Sequence, residues 1–302
     1  MASGALRLGT RRSKLALAQA REVAALLTAR GHDVDVVPMT TRGDVGSPAD
    51  VASSPSGFKG LWVNDIVDAL RRGEVDLAVH SAKDLPAEEV DGVIVAAVPE
   101  RASPFDMLIR RDASLAAGAR VGSSSLRRRG QLKAARPSLD VVEIRGNVDT
   151  RLARLEAGEV DGLVLAAAGL VRLDIAPAHA ELLSADEMVP APGQGALAVQ
   201  TRDDGAARAA VAAVDHQESR LAFEAEFALV RLVGGGCALP LGAYATVEGG
   251  SVRLTTVVLR PDGSSPVRAS AEADSPETVA REAADALLAG GAAAILEELR
   301  SP

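Results

Sequence analysis

Three stretches of this chain gather residue types able to do chemistry. The first is HSAKDLP at 80–86, where Lys83 and Asp84 stand side by side just before Pro86. A carboxyl group at the end of a buried strand can give and take a proton or stabilise a cation. It can equally cap the next turn. His80 reads as a core histidine and stays outside the catalytic set. The second is a pair of Ser/Arg junctions, TRRS at 10–13 and SSSLRR at 123–128. Each lies between a strand pattern and a helix pattern, where free backbone N–H groups and the helix dipole favour an anion. Arginine forks suit a carboxylate or a phosphate there, and Arg145, Arg151 and Arg172 could add more. The third is Cys237, the one cysteine, in LVGGGCALP at 232–240. A lone cysteine is commonly a small buried hydrophobe. In a glycine loop between domains it becomes a candidate attachment point or nucleophile.

These residues need a scaffold. The opening segment predicts a strand, then a helix capped by Ser13 and closed by Gly31, then a second strand at 34–39. Residues 42–60, rich in Gly, Ser and Pro, predict a mobile loop. A helix at 61–72 and a strand at 75–79 would complete a βαβ unit. The pattern then returns: GEVDLAVHSAKDL (73–85) lines up with GEVDGLVLAAAGL (158–170), each after a helical segment. Two related α/β lobes follow from that repeat. Where the first has His80, Ser81, Lys83 and Asp84, the second has Leu165, Ala166, Ala168 and Gly169. Open α/β sheets bind ligands at the C-terminal ends of their strands, so the expected site is asymmetric. MVPAPGQGALAVQTR (188–202) returns the chain to the first lobe. A helix at 217–232, alternating strands near 242–247, 251–260 and 267–273, and helices at 276–288 and 292–299 predict a small α+β third domain. The expected divisions are 1–99 with 193–216, 100–192, and 217–302. The fold class is α/β, with two lobes around a cleft.

Composition narrows the partners. The chain has 302 residues, a formal net charge of −8 and only 2% aromatics, which argues against nucleic acid. Its arginines sit in local clusters that suit a small polyanion. A single cysteine permits no intrachain disulfide, the N-terminus lacks a signal-peptide core, and no apolar run reaches membrane-spanning length. A cytoplasmic protein without a membrane partner is expected. The four histidines have no metal-ligand spacing.

Taken together, LRLGTRRSKLAL, TRGD, FKGLW, AVHSAKDLP, VGSSSLRR, IRGNVDTRL, LAAAGLVRL, APGQGAL and GGGCALP resemble the porphobilinogen deaminase family, in that family's order and over nearly the whole chain. The resemblance implies two lobes like periplasmic binding proteins and a third domain bearing a dipyrromethane cofactor on Cys237. It implies that porphobilinogen is joined into linear hydroxymethylbilane with loss of ammonia, and that the product passes to a cyclising synthase. Asp84 would be the catalytic carboxylate with Lys83 beside it. Both would also meet the cofactor, together with Ser125, Arg127, Arg128, Arg145 and Gly146. Arg11, Ser13, Lys59, Arg151, Arg172 and Gln194 would meet the substrate. A monomer is implied.

The sequence departs from the family pattern in places. Phe105 stands where an arginine is common, Asp149 where glycine is, Gly234 where glutamate is frequent, and Pro192 interrupts the usual run. Trp62 and Asn64 are further departures. The rival reading is a two-lobed anion- or effector-binding protein without catalysis. It accounts for the lobes and arginines but not for Cys237 or the Lys83–Asp84 asymmetry. A phosphate-ligand transferase lacks its glycine signature.

Overall fold

The computed structural model describes residues 4–41, 57–234 and 239–300, without the side chains of 57–62 and 300. Contacts divide the chain into two compact units, residues 1–101 with 196–223 and residues 102–195 with 224–302.

In the first unit, β1 (Leu6–Arg11), α1 (Lys14–Thr28), β2 (Val34–Met39), α2 (Gly57–Arg71) and β3 (Leu77–Ser81) form two crossover units. Ser13 caps α1, its hydroxyl accepting from the Ala16 N–H. With β4 (Val93–Ala97) and β10 (Leu197–Arg202), the strands make a five-stranded sheet in the order β2-β1-β3-β10-β4. β1, β2 and β3 run parallel, and β10 runs antiparallel to both β3 and β4. Because the order reverses at β1, right-handed crossovers put α1 and α2 on opposite faces. Val23 and Leu27 of α1 bury against Leu8, Leu77 and Val199 on one face.

The second unit repeats this plan. β6 (Arg120–Gly122), α3 (Leu126–Ala135), β7 (Asp140–Val142), α4 (Val148–Glu156) and β8 (Gly162–Ala166) again form crossovers. With β5 (Asp106–Arg110) and β9 (Ala180–Leu182), the sheet order is β7-β6-β8-β5-β9, and β5 is antiparallel to β8 and β9. Leu132 of α3 packs on one face with Val121 and Val164. On the other, Leu155 of α4 and Leu170 of α5 (Ala167–Arg172) pack with Leu163 and Leu165.

The repeated GEVD is now explained residue by residue. Gly73 and Gly158 follow α2 and α4 with φ of 69° and 73°, the left-handed turn that ends a helix most cheaply at glycine. Val75 and Val160 are buried. Asp76 accepts the Arg7 N–H at 2.9 Å while its own N–H donates to the Arg7 carbonyl at 2.8 Å. Asp161 and Arg120 exchange the same two bonds, at 2.8 and 2.7 Å. Each bracket ties the start of the third strand to the start of the first.

Several boundaries move from expectation. Residues 57–60, expected in the loop, are the first turn of α2: Phe58, Leu61 and Trp62 extend the helical spacing of apolar residues past the glycines. The rest of that loop, 42–56, lies outside the described residues. The strand expected at 75–79 occupies 77–81, because pairing with β10 carries it on through His80 and Ser81, opposite Ala198 and Leu197.

After α6 (Ala207–Ala212) and α7 (Gln217–Leu232), β11 (Leu241–Glu248), β12 (Ser251–Val258) and β13 (Val267–Ala273) form an antiparallel sheet backed by α8 (Pro276–Ala289) and α9 (Ala292–Arg300). This sheet shares its unit with β5–β9. The Ala243 N–H donates to the Pro190 carbonyl, Gly242 packs on Val189, and Gly130 of α3 abuts the Arg260 carbonyl. Among the described residues, no helix is long and apolar enough to cross a membrane.

Candidate functional site

In each unit the strand order reverses between the first and third strands, leaving a crevice at their C-terminal ends where such sheets take ligands. In the first unit, that edge carries Arg11, the last residue of β1, and Ser13 just beyond it. Lys83 and Asp84 lie in a short 3-10 turn, Ala82–Asp84, directly after β3. Both of these side chains are half-buried. Ser81 accepts a 2.7 Å hydrogen bond from Gln19 of α1, fixing the helix to the strand end.

His80 lies one step inside that edge and is 6% exposed. Burial depresses its pKa to about 4, with Arg11 acting the same way against the opposing pull of Asp84. It is therefore neutral near pH 7. The side chain of Gln200, on the same face of the sheet two pairs along, hydrogen-bonds to the imidazole and works against that depression.

The corresponding edge of the second unit is basic. Ser125 caps α3 by accepting from the Arg128 N–H, so Arg127 and Arg128 occupy the first turn. Arg151 reaches back from α4: its Nε donates to the Gly146 carbonyl at 2.7 Å and its Nη2 to Ser124 at 3.3 Å. The like charge of Arg128 and, above all, burial pull the Arg151 pKa down to about 10. Burial likewise lowers that of Arg127.

A carboxylate that no motif pointed to lies under these arginines. Asp106, fully buried at the start of β5, accepts from Arg128 Nε at 2.9 Å and pairs with its Nη2 at 2.7 Å. Its other oxygen pairs with Arg127 Nη1 at 2.8 Å. Two arginines thus share one aspartate, and with Arg151 nearby the cluster keeps a surplus of positive charge that an anionic ligand would balance.

The expected residues therefore gather in two sets. Arg11, Ser13, Lys83 and Asp84 share one sheet edge, and Ser125, Arg127, Arg128, Gly146, Arg151 and Gln194 surround the other. Arg145 instead points to solvent and pairs with Glu143 at 2.6 Å. Arg172 is half-buried at the end of α5. Lys59 is on α2, without a described side chain, and Cys237 lies outside the described residues. Two departures find local explanations. Phe105 meets Tyr244 edge-on at 5.5 Å, and Asp149 sits in the first turn of α4, where a negative charge complements the helix dipole.

Comparison with known proteins gives a consistent result. Residues 6–210 match the family described as "Porphobilinogen deaminase, dipyromethane cofactor binding domain", and residues 220–289 match "Porphobilinogen deaminase, C-terminal domain". A porphobilinogen deaminase of Leifsonia xyli subsp. xyli is 47% identical, covering 88% of this chain and 83% of the relative. One from Syntrophotalea carbinolica is 44% identical over 99% of this chain and 97% of its own length. One from Deinococcus deserti is 42% identical over 97% and 98%. Among solved structures, a periplasmic substrate-binding protein of an ABC transporter from Coxiella burnetii aligns over 74% of this chain and 96% of its own, with a TM-score of 0.41 and 16% identity. Both family models and full-length relatives at these identities agree: the chain belongs to the porphobilinogen deaminase family.

Proposed function

We propose that this chain joins four porphobilinogen molecules head to tail into linear hydroxymethylbilane, releasing ammonia at each addition. The observation that best supports this reading is the surplus of positive charge around Arg127, Arg128 and Arg151 in a chain whose net charge is −8. Each porphobilinogen carries an acetate and a propionate, so a growing chain of pyrroles accumulates carboxylates that need guanidinium partners.

The residues present fit a dipyrromethane group. Ser125, Arg127, Arg128 and Gly146 would hold its carboxylates, Arg145 would swing from Glu143 to join them, and Cys237 would carry it through a thioether. When bound, dipyrromethane supplies the terminal pyrrole carbon to which the first substrate is joined. Asp84 protonates the leaving amine of porphobilinogen and stabilises the resulting cation at the pyrrole N–H. Lys83, next to it, offers an ammonium to a neighbouring carboxylate. Arg11, Ser13, Lys59, Arg151 and Arg172 orient the incoming substrate through its acidic side chains. Neutral His80 beneath Asp84 adds no competing charge. Water releases the finished product, which a cyclising synthase then consumes. We further propose a cytoplasmic monomer, with neither nucleic acid nor membrane as partner.

Intact mass of the natively purified chain beside a Cys237→Ser variant tests the proposal. A two-pyrrole adduct on the native chain and none on the variant is expected. A native chain that carries no adduct and gains none from porphobilinogen overturns it in favour of a non-catalytic anion-binding protein.

A further inference from the structure

Asp106 and Gln194 stand behind the arginine pair. Asp106 opens β5, whose register sets it opposite Ala166 at the end of β8. An antiparallel strand begins where its parallel neighbours end, so Asp106 reaches the ligand-binding edge of the sheet from within. Two adjacent guanidiniums repel each other, and each long side chain has many rotamers to lose. One shared carboxylate settles both, with Arg128 on Oδ1 and Arg127 on Oδ2.

Gln194 completes the arrangement. It is fully buried, and its Nε2 donates both to the Pro104 carbonyl at 2.6 Å and to Asp106 Oδ1 at 2.9 Å. Its Oε1 accepts from Arg128 Nη2 at 3.3 Å. Both amide protons are spent on the protein, which leaves no donor for a substrate. The backbone on either side is pinned. The Gly193 N–H donates to the buried Glu226 carboxylate at 2.6 Å, and Gly195 has φ of 87°, with its α-carbon so close to the Ala102 carbonyl that a Cβ would lie 2.4 Å away.

We infer that Asp106 and Gln194 are positioning residues that aim the Arg127 and Arg128 guanidiniums at ligand carboxylates without touching the ligand themselves. The inference rests on the reading that these arginines hold pyrrole carboxylates. It also changes the role of Gln194 from a substrate contact to a brace on Arg128.

A double-mutant cycle tests it. Asp106→Asn strips the charge from beneath two buried guanidiniums and endangers the fold. Gln194→Met, similar in volume and without amide groups, is therefore the decisive variant, measured alone and combined with Arg128→Lys. Two quantities are read: kcat/KM of the holoenzyme for porphobilinogen, and the rate at which cofactor-free chain gains the two-pyrrole mass. Gln194→Met should lower both about tenfold in the wild-type background and less than twofold in the Arg128→Lys background. An equal loss in both backgrounds means that Gln194 acts independently of Arg128, and overturns the inference. So does the absence of any loss. A wild-type chain that neither carries nor gains the adduct fails at the first step, and takes down the carboxylate reading and this inference together.

Discussion

The ends of β3 and β8 are the same piece of architecture put to different use. Leu77–Ser81 and Gly162–Ala166 occupy equivalent places in the two aligned segments, each begins from an Asp–Arg bracket, and each runs into a helical turn. At their starts the two strands share chemistry as well as shape. At their ends they part: His80, Lys83 and Asp84 in one, Leu165, Ala168 and Gly169 in the other. The bracket is needed wherever this sheet is built, so both copies keep it. The strand end is free of that demand and can carry either reactive groups or small apolar ones that leave room beside the arginines of α3. A duplicated fold thus separates what supports from what reacts within a single strand.

Making the two ends alike is the most severe test. Replacing Lys83 and Asp84 with the Ala and Gly of the second unit should lower turnover by about 10²–10⁴-fold. The melting temperature should stay near that of the wild type. A fall confined to KM would show that Asp84 binds rather than catalyses. Next in size is His80→Leu, which copies Leu165. His80 titrates near 4 in the folded chain and near 6.5 when unfolded. The unfolded state therefore takes up the proton first, and stability falls as pH drops from about 6.5 to about 4, by on the order of 3 kcal/mol. Urea midpoints of the variant should lack that segment of the pH profile.

The brackets come next. Asp76→Ala and Asp161→Ala each remove an acceptor from a backbone N–H at a strand start and should each cost about 1–2 kcal/mol, with Asp76 at the upper end because its carboxylate also accepts from Nε and Nη2 of Arg7. A chemical-denaturation midpoint unchanged by either substitution would show that this copy of the bracket does not hold the sheet. The Arg7 guanidinium holds the Asp76 carboxyl below its usual range. That contribution is present above pH ~4 and fades as pH falls through the lower folded value. The smallest effect belongs to Gly73→Ala and Gly158→Ala, about 1 kcal/mol each from the left-handed backbone, read as matching shifts in melting temperature.

Much of this frame is legible before folding. β2, β13 and α7 fall where apolar periodicity puts them, and the GEVD repeat announces the duplication. The short strands β7 and β9 are not, because three residues cannot display an alternation. Asp84 and the Ser/Arg junctions stand out because strand, turn and helix are contiguous there. Asp106 does not: its meaning arises only when β5 pairs with β8, and its partners lie 22 and 88 positions away. Nor does a run of arginines reveal that Arg127 and Arg128 are buried while Arg145 faces water.

The placement of β10 bears on the order in which the chain can assemble as it is made. β10 lies between β3 and β4, yet it comes from residues 197–202, after the whole β5–β9 sheet. A nascent chain that has emerged only through β4 has no partner for that strand and exposes an unpaired edge of β3. The β5–β9 sheet is drawn from one uninterrupted stretch and meets no such delay. The second sheet can therefore mature on the ribosome before the first, reversing the usual N-to-C succession. The segment that ends the wait is the one carrying Gln194.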